Sequence, residues 1–327
     1  MSLRLLCALP PFLFVASILT YGAACPAAEA IRPAGPIGGT DIQQALLPPP
    51  GVYAAAVVVP INFFSFSTSR GATPASGHSL DAGVAVLWVY DLHLFGGSMA
   101  SSVSLAYGHS CFQLEQQPRF CSKAGLDDSY ADMFVWSRFF PSKEFDSARN
   151  QVNRIPFGLA VQTGLGIMFP TGTYDPNRVV NNSANFYDFA PNIALTYNVR
   201  SLLGERLGDA TEFSMRIWFN NYTQNHSTHY QTGRLFNVDF AITQRLGHWQ
   251  FGLTGTAFKQ IEDDKISGIN VPDGGARSDG VAIGPLISYS FVAHARPWII
   301  TLKGLYAISA TNTAWPRGVV LRVATRF

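Results

Sequence analysis

From Gly51 onward the sequence repeats one unit. A run of roughly 10–16 residues alternates apolar with small or polar side chains, and a segment rich in Gly, Asn, Asp, Ser or Pro follows. In "GRLFNVDFAITQRL", Phe236, Val238, Phe240 and Ile242 share one face, and Asn237, Asp239, Ala241 and Thr243 share the other. "TEFSMRIWFN" sets Phe213, Met215, Ile217 and Phe219 against Glu212, Ser214, Arg216, Trp218 and Asn220. Side chains leave a strand on alternate faces, so each run reads as a strand with one oily side. Twelve such runs fall near 52–68, 80–91, 98–109, 129–140, 155–169, 186–199, 211–224, 232–246, 248–261, 279–292, 297–310 and 317–327. An even number lets an antiparallel sheet close on itself with both chain ends on one side. A secreted sandwich would carry Lys, Glu and Thr opposite its apolar face. Here that face is mostly Gly, Ala, Ser, Thr and Asn, which suits the inside of a barrel whose oily side meets lipid. The predicted fold is all-β, a twelve-stranded antiparallel transmembrane β-barrel of the bacterial outer membrane.

Composition agrees. Charged residues make up 13% of the 327 residues, about half the usual globular share, while aromatics also make up 13%. No mature stretch reaches the ~18 apolar residues a spanning helix needs, so the hydropathy is spread thinly, as in membrane strands. The 23 Lys+Arg nearly balance the 21 Asp+Glu, which gives no footprint for nucleic acid. The connections alternate between short ("HLFGG", "GHW", "AHAR") and long (109–128, 170–185, 261–278), the pattern of tight periplasmic turns and longer exterior loops. One connection, 141–153, is long where a tight turn is expected and suits a short helix.

The amino terminus carries Arg4, an apolar run from Leu5 to Leu19 and small residues at Ala28 and Ala30. Residues 1–30 therefore read as a signal peptide cleaved before Ile31, with lipidation at Cys25 the competing reading. Residues 31–50 lack a strand signal and read as a periplasmic lead-in, and 51–327 read as the barrel. Cys7 and Cys25 fall in the leader, so the mature chain keeps Cys111 and Cys121, an even pair in an oxidising compartment. They read as one disulfide and not as a metal site, which would need a second pair of ligands. No cofactor or metal is expected.

Counting in twos places Arg216, Asp239, Lys303 and Arg322, with Asp81 beside them, on the lumenal side. Trp218 shares the parity of Arg216. The functional reading makes Arg216, Trp218, Asp239, Lys303 and Arg322 the lining of a solute route. The structural reading makes the charged ones a set of paired ions bracing the interior, because buried charges need partners. Trp88, Tyr197, Trp249, Tyr289 and Trp298 read as outward interfacial girdles. A hydrolase would need a nucleophile, base and orienter in register. The histidines lie at loops and strand ends and no G-x-S-x-G occurs, so an enzyme is not expected. The "NHSTHY" and "EDD" loops read as solvated polar segments.

Five segments carry a family resemblance. They are "LPPPGVY" opening the first strand, "FPTGTYD" ending the fifth, "NFYDFAPNIALTY", "DGVAIGPLISYSF" and the terminal Phe327. In this order they resemble the outer-membrane transporter family named for the meta-pathway of phenol degradation, over residues 45–327. The resemblance implies a channel that passes small hydrophobic or aromatic solutes passively, with outer-membrane lipid and lipopolysaccharide around it. The aromatic carboxyl terminus at Phe327 likewise resembles the signal read by the barrel-assembly machinery. The alternative function is a plugged structural or adhesive barrel without transport, favoured if side chains and the 31–50 lead-in fill the lumen.

Overall fold

The structure is a computed structural model that describes residues 33, 41–68, 71–143, 156–204, 206–271 and 277–327. Residues 1–30, and all but the first three residues of the 141–153 connection where a short helix is expected, lie outside the described residues. Twelve long strands follow in order: β1 (Gly51–Thr68), β2 (Gly71–Leu94), β3 (Gly97–Leu114), β4 (Ser129–Pro141), β5 (Gly158–Phe169) and β6 (Asp188–Arg200), then β7 (Ala210–Tyr222), β8 (Leu235–Leu246), β9 (Trp249–Gln260), β10 (Asp279–Ala293), β11 (Arg296–Thr311) and β12 (Thr313–Arg326). Each pairs antiparallel with its neighbours in sequence, and β12 pairs with β1, which closes the barrel. Closure satisfies backbone groups between strands and leaves no open edge, the condition for crossing lipid without helices. Among the described residues no helix is long and apolar enough to cross a membrane.

The period-two reading holds strand by strand. On β6 the outward Phe189, Ile193 and Tyr197 are exposed while Ala190, Ala194, Thr196 and Asn198 are buried inside. Two of the short connections are two-residue turns with positive φ at both central residues, Phe95 and Gly96 in one and His294 and Ala295 in the other. This backbone matches the strand twist, which is why the turns can be so tight. Strands β5 to β9 have 12 or 13 residues, close to the ~9–11 that span a bilayer. Strands β1, β2 and β3 have 18, 24 and 18, so this part of the wall stands well above the rest. The sequence pattern reached only residues 80–91 of β2, because the outer part, "GATPASGHS", is too small and polar to alternate.

Candidate functional site

The lumen has two unlike sides. On the side formed by β4 to β9, inward residues are buried and bound to one another. Arg216 Nη2 donates to Asp132 Oδ1 at 2.5 Å and to Asn192 Oδ1 at 2.9 Å, and its guanidinium lies 4.8 Å from the centre of the Trp218 ring. Trp218 Nε1 donates to Tyr130 Oη at 3.1 Å, and Tyr130 donates in turn to Asp132 Oδ1 at 2.8 Å. Gly166 is what admits the Tyr130 phenol, because a Cβ at that position would collide with it. Toward the outside, Met168, Ala184, Phe186, Tyr222 and Leu235 join Tyr130 and Trp218 in one buried cluster, with Phe258 against it.

The lead-in enters this same side from below. Backbone N–H groups of Gln43, Gln44 and Ala45 donate to Glu212 Oε1 (2.7 Å), Ser214 Oγ (3.1 Å) and Thr196 Oγ1 (3.0 Å), and Ser137 Oγ donates to the Ala45 carbonyl at 2.5 Å. Ala45 fits because it meets Ala160 and Ala194, small residues on the facing strands. Across the barrel, Lys303 Nζ reaches Asp41 Oδ2 at 2.5 Å, and both side chains are buried. Arg245 lies 3.7 Å from Glu212.

Four outer loops lean over this side and knit together. The segment 115–128 returns to pair with β3 and is tied there by the Cys111–Cys121 disulfide. Asn182 Nδ2, in the loop after β5, donates to the carbonyls of Gly108 (2.8 Å) and Gly125 (3.1 Å). Asp128 accepts from the N–H groups of Gly172 and Ala184 at 3.0 and 2.7 Å. The "PTGTYD" segment is thus a clasp between loops. Farther round, Tyr230 and the Gly233 N–H donate to Asp264, whose burial raises its carboxyl above the usual carboxylate range against the pull of those hydrogen bonds.

The side formed by β12, β1, β2 and β3 is different. Val57, Val59, Ile61 and Phe63 of β1 alternate inward with Gly83, Ala85 and Leu87 of β2, and all are half-buried rather than buried. Accessible surface on an inward face lines open volume, and on β1 that surface is apolar. Beside it β2 sets Asp81 in register with Val59, β12 sets Arg322 in register with Val57, and β3 adds Ser102, Ser104 and Ser110. The outer connections of this side are short, since β1–β2 and β11–β12 are joined by residues 69–70 and by Asn312 alone. At its periplasmic end the lead-in narrows it. Leu47, Tyr53 and Leu87 pack against the buried cluster of Val89, Ala100 and Val135, Tyr53 Oη donates to the Pro49 carbonyl at 2.7 Å, and Arg326 Nη2 donates to the Pro50 carbonyl at 2.9 Å.

Of the residues picked from the sequence, Arg216, Trp218, Asp239 and Lys303 face inward and are buried, and Arg216 is paired with Asp239 in register. Arg322 lies in register with Val57, within electrostatic reach of Asp41, at the border of the apolar side. Phe327 ends the last strand, its N–H bound to the Val52 carbonyl at 2.9 Å and its ring beneath Arg296. Sequence reasoning missed Asp132 as the partner of Arg216, because a bulge between Asp132 and Phe134 breaks the count in twos. It also missed the inner apolar wall. "AAAVVVPINFF" is apolar on both faces, and that loss of alternation was the available signal.

The sequence profile of the family described as the MetA-pathway of phenol degradation matches residues 62–323. Among solved structures, an outer membrane channel from Pseudomonas putida F1 superposes with a TM-score of 0.67 at 12% identity, over 88% of this chain and 100% of the channel. The β domain of the Bordetella autotransporter BrkA gives a TM-score of 0.44 at 10% identity, over 85% and 99% of the two chains. No curated protein matches the sequence. The likeness to the channel is one of fold, that of an outer-membrane β-barrel.

Proposed function

Because the chain belongs to the MetA-pathway of phenol degradation family, we propose that it is a passive outer-membrane channel for small hydrophobic or aromatic compounds, without catalysis. The observation that carries this reading is the half-exposed apolar wall inside β12, β1 and β2, in a barrel whose other side is packed solid. A solute on that wall exchanges water for apolar surface along Phe63, Ile61, Val59 and Val57, a favourable transfer, with the Asp81 carboxylate, in register with Val59, standing beside the route. Arg216, Trp218, Asp239 and Lys303 form the rigid opposite wall, and Arg322 borders the route. The ion pairs hold the barrel round while the lead-in sets the width of the inner end. In this reading residues 1–30 export the chain, Phe327 is read by the barrel-assembly machinery, and lipid and lipopolysaccharide surround the outward aromatics.

The bonded lead-in also supports a second reading, a plugged barrel that transports nothing. Uptake separates the two. Cells with an intact lipopolysaccharide leaflet that carry the protein should take up radiolabelled phenol faster than cells without it, while sugar uptake stays unchanged. Equal phenol uptake in the two strains would favour the plugged barrel.

A further inference from the structure

Above the bilayer, on the inner face of the tall β1–β3 wall, lies a patch that neither the ion-pair network nor the lead-in explains. One row across the sheet reads Pro316, Phe63, Gly77, Phe112 and Phe120, each in register with the next. A bulge after Phe63 turns Phe66 onto the same side. The rings of Phe63 and Phe66 each meet Phe112 edge-on, with centroids 6.1 Å apart. They can lean together because the residue between them is Gly77, where a Cβ would lie 3.2 Å from Phe112 Cδ2 and closer still to the Cys111 carbonyl. The Cys111–Cys121 disulfide is the neighbouring rung, and it fixes the pairing of Phe112 with Phe120. Phe63, Phe66 and Phe112 are half-buried and Phe120 is 37% exposed, so aromatic surface remains open toward the lumen.

One rung farther in, two residues or about 7 Å along the strand, the row carries Ile61, Ser79 and Ser110. Ser79 Oγ donates to Asp81 Oδ2 at 2.6 Å, so in its 2.8 Å contact with Ser110 the proton comes from Ser110. A hydroxyl has one proton and two lone pairs, which leaves Ser110 Oγ able to accept from another donor.

We infer that Phe63, Phe66 and Phe112, with Ser110 below them, form a capture site for a single aromatic ring bearing a hydroxyl group, from which the solute passes down the apolar wall. The inference rests on the channel reading above. Ring faces and edges attract another ring beyond what its area accounts for, whereas a saturated ring of equal size gains only the area. Ser110 Oγ accepts a hydrogen bond donated by the solute's hydroxyl.

The test compares uptake of phenol, cyclohexanol and anisole by cells with an intact outer membrane. The wild-type protein should favour phenol over cyclohexanol by roughly three- to tenfold, the ratio that an added aromatic contact supplies. Phe63→Leu with Phe112→Leu keeps the surface apolar but removes the rings, and should bring the ratio of phenol to cyclohexanol uptake to about one. Ser110→Ala should slow phenol and spare anisole, which has no hydroxyl proton to give. Retained preference in the double Leu variant, or equal wild-type uptake of phenol and cyclohexanol above background, would overturn the capture site and leave the channel intact. Uptake of all three solutes at the level of cells lacking the protein would overturn the channel reading and the capture site with it.

Discussion

The two sides of this barrel solve the same problem in opposite ways. Along β4 to β9 the strands have 12 or 13 residues, the inner faces are polar, and every level is filled by ion pairs, the lead-in or an aromatic cluster. Along β12 to β3 three of the strands are much longer, the inner face of β1 is apolar, and its side chains are half-buried rather than buried. A barrel of twelve strands that was packed all round would be a pillar, and one open all round would admit water and salts indiscriminately. Dividing the lumen gives a stiff half that holds the shape and an apolar half that offers a route. The difference explains why the buried charges of the Arg216–Asp132 and Lys303–Asp41 ion pairs sit away from the greasy face of β1. There they can find partners, and an unpaired charge in low dielectric is costly.

That division can be broken from either side. The largest effect is expected from Arg216→Ala, which strands the buried Asp132 carboxylate and should cost about 3–5 kcal/mol of stability, measured as a lower urea midpoint in detergent or lipid. An unchanged midpoint would mean the packed side is wetter than described. Replacing Cys111 and Cys121 together by Ser should cost roughly 2–3 kcal/mol of local stability in the 115–128 loop, read as faster amide exchange there, with exchange in β5 to β9 unchanged. Ala85→Trp fills the open side. It should leave assembly intact and cut phenol uptake about tenfold, the equivalent of ~1.4 kcal/mol on the barrier, and normal uptake in the variant would move the route elsewhere. The smallest effect is expected at a periplasmic turn. Ala295 holds φ 59°, so Ala295→Gly should stabilise by about 1 kcal/mol with no effect on uptake.

Much of the fold was legible because period two is a strong signal wherever the two faces differ. β6, β7, β8 and β10 could be placed closely from residues such as Phe236–Asn237 and Ile193–Ala194. The tight turns at 247–248 and 294–295 followed from their spacing. What stayed hidden was whatever breaks the alternation. The bulge at Asp132 concealed the partner of Arg216, and the doubly apolar β1 gave strand length without saying which face was which. The lead-in carries Asp41 and the small Ala45 in an unpatterned stretch, and only the third dimension brings them to Lys303 and Ala194. The proposed capture site depends on register across β1, β2 and β3, which no single strand contains.

Passage along this wall requires the inner face of β1 and β2 to be open while that of β6 is filled. Single cysteines at Val57, Ala85, Ala194 and Thr196, in barrels assembled in native membranes, measure this directly with a water-soluble thiol reagent. Positions 57 and 85 should react quickly and be slowed by saturating phenol, while 194 and 196, whose residues are buried at 0% exposure, should stay unreacted. If 57 and 85 prove as inert as 194, the lumen is closed all round and the route does not exist.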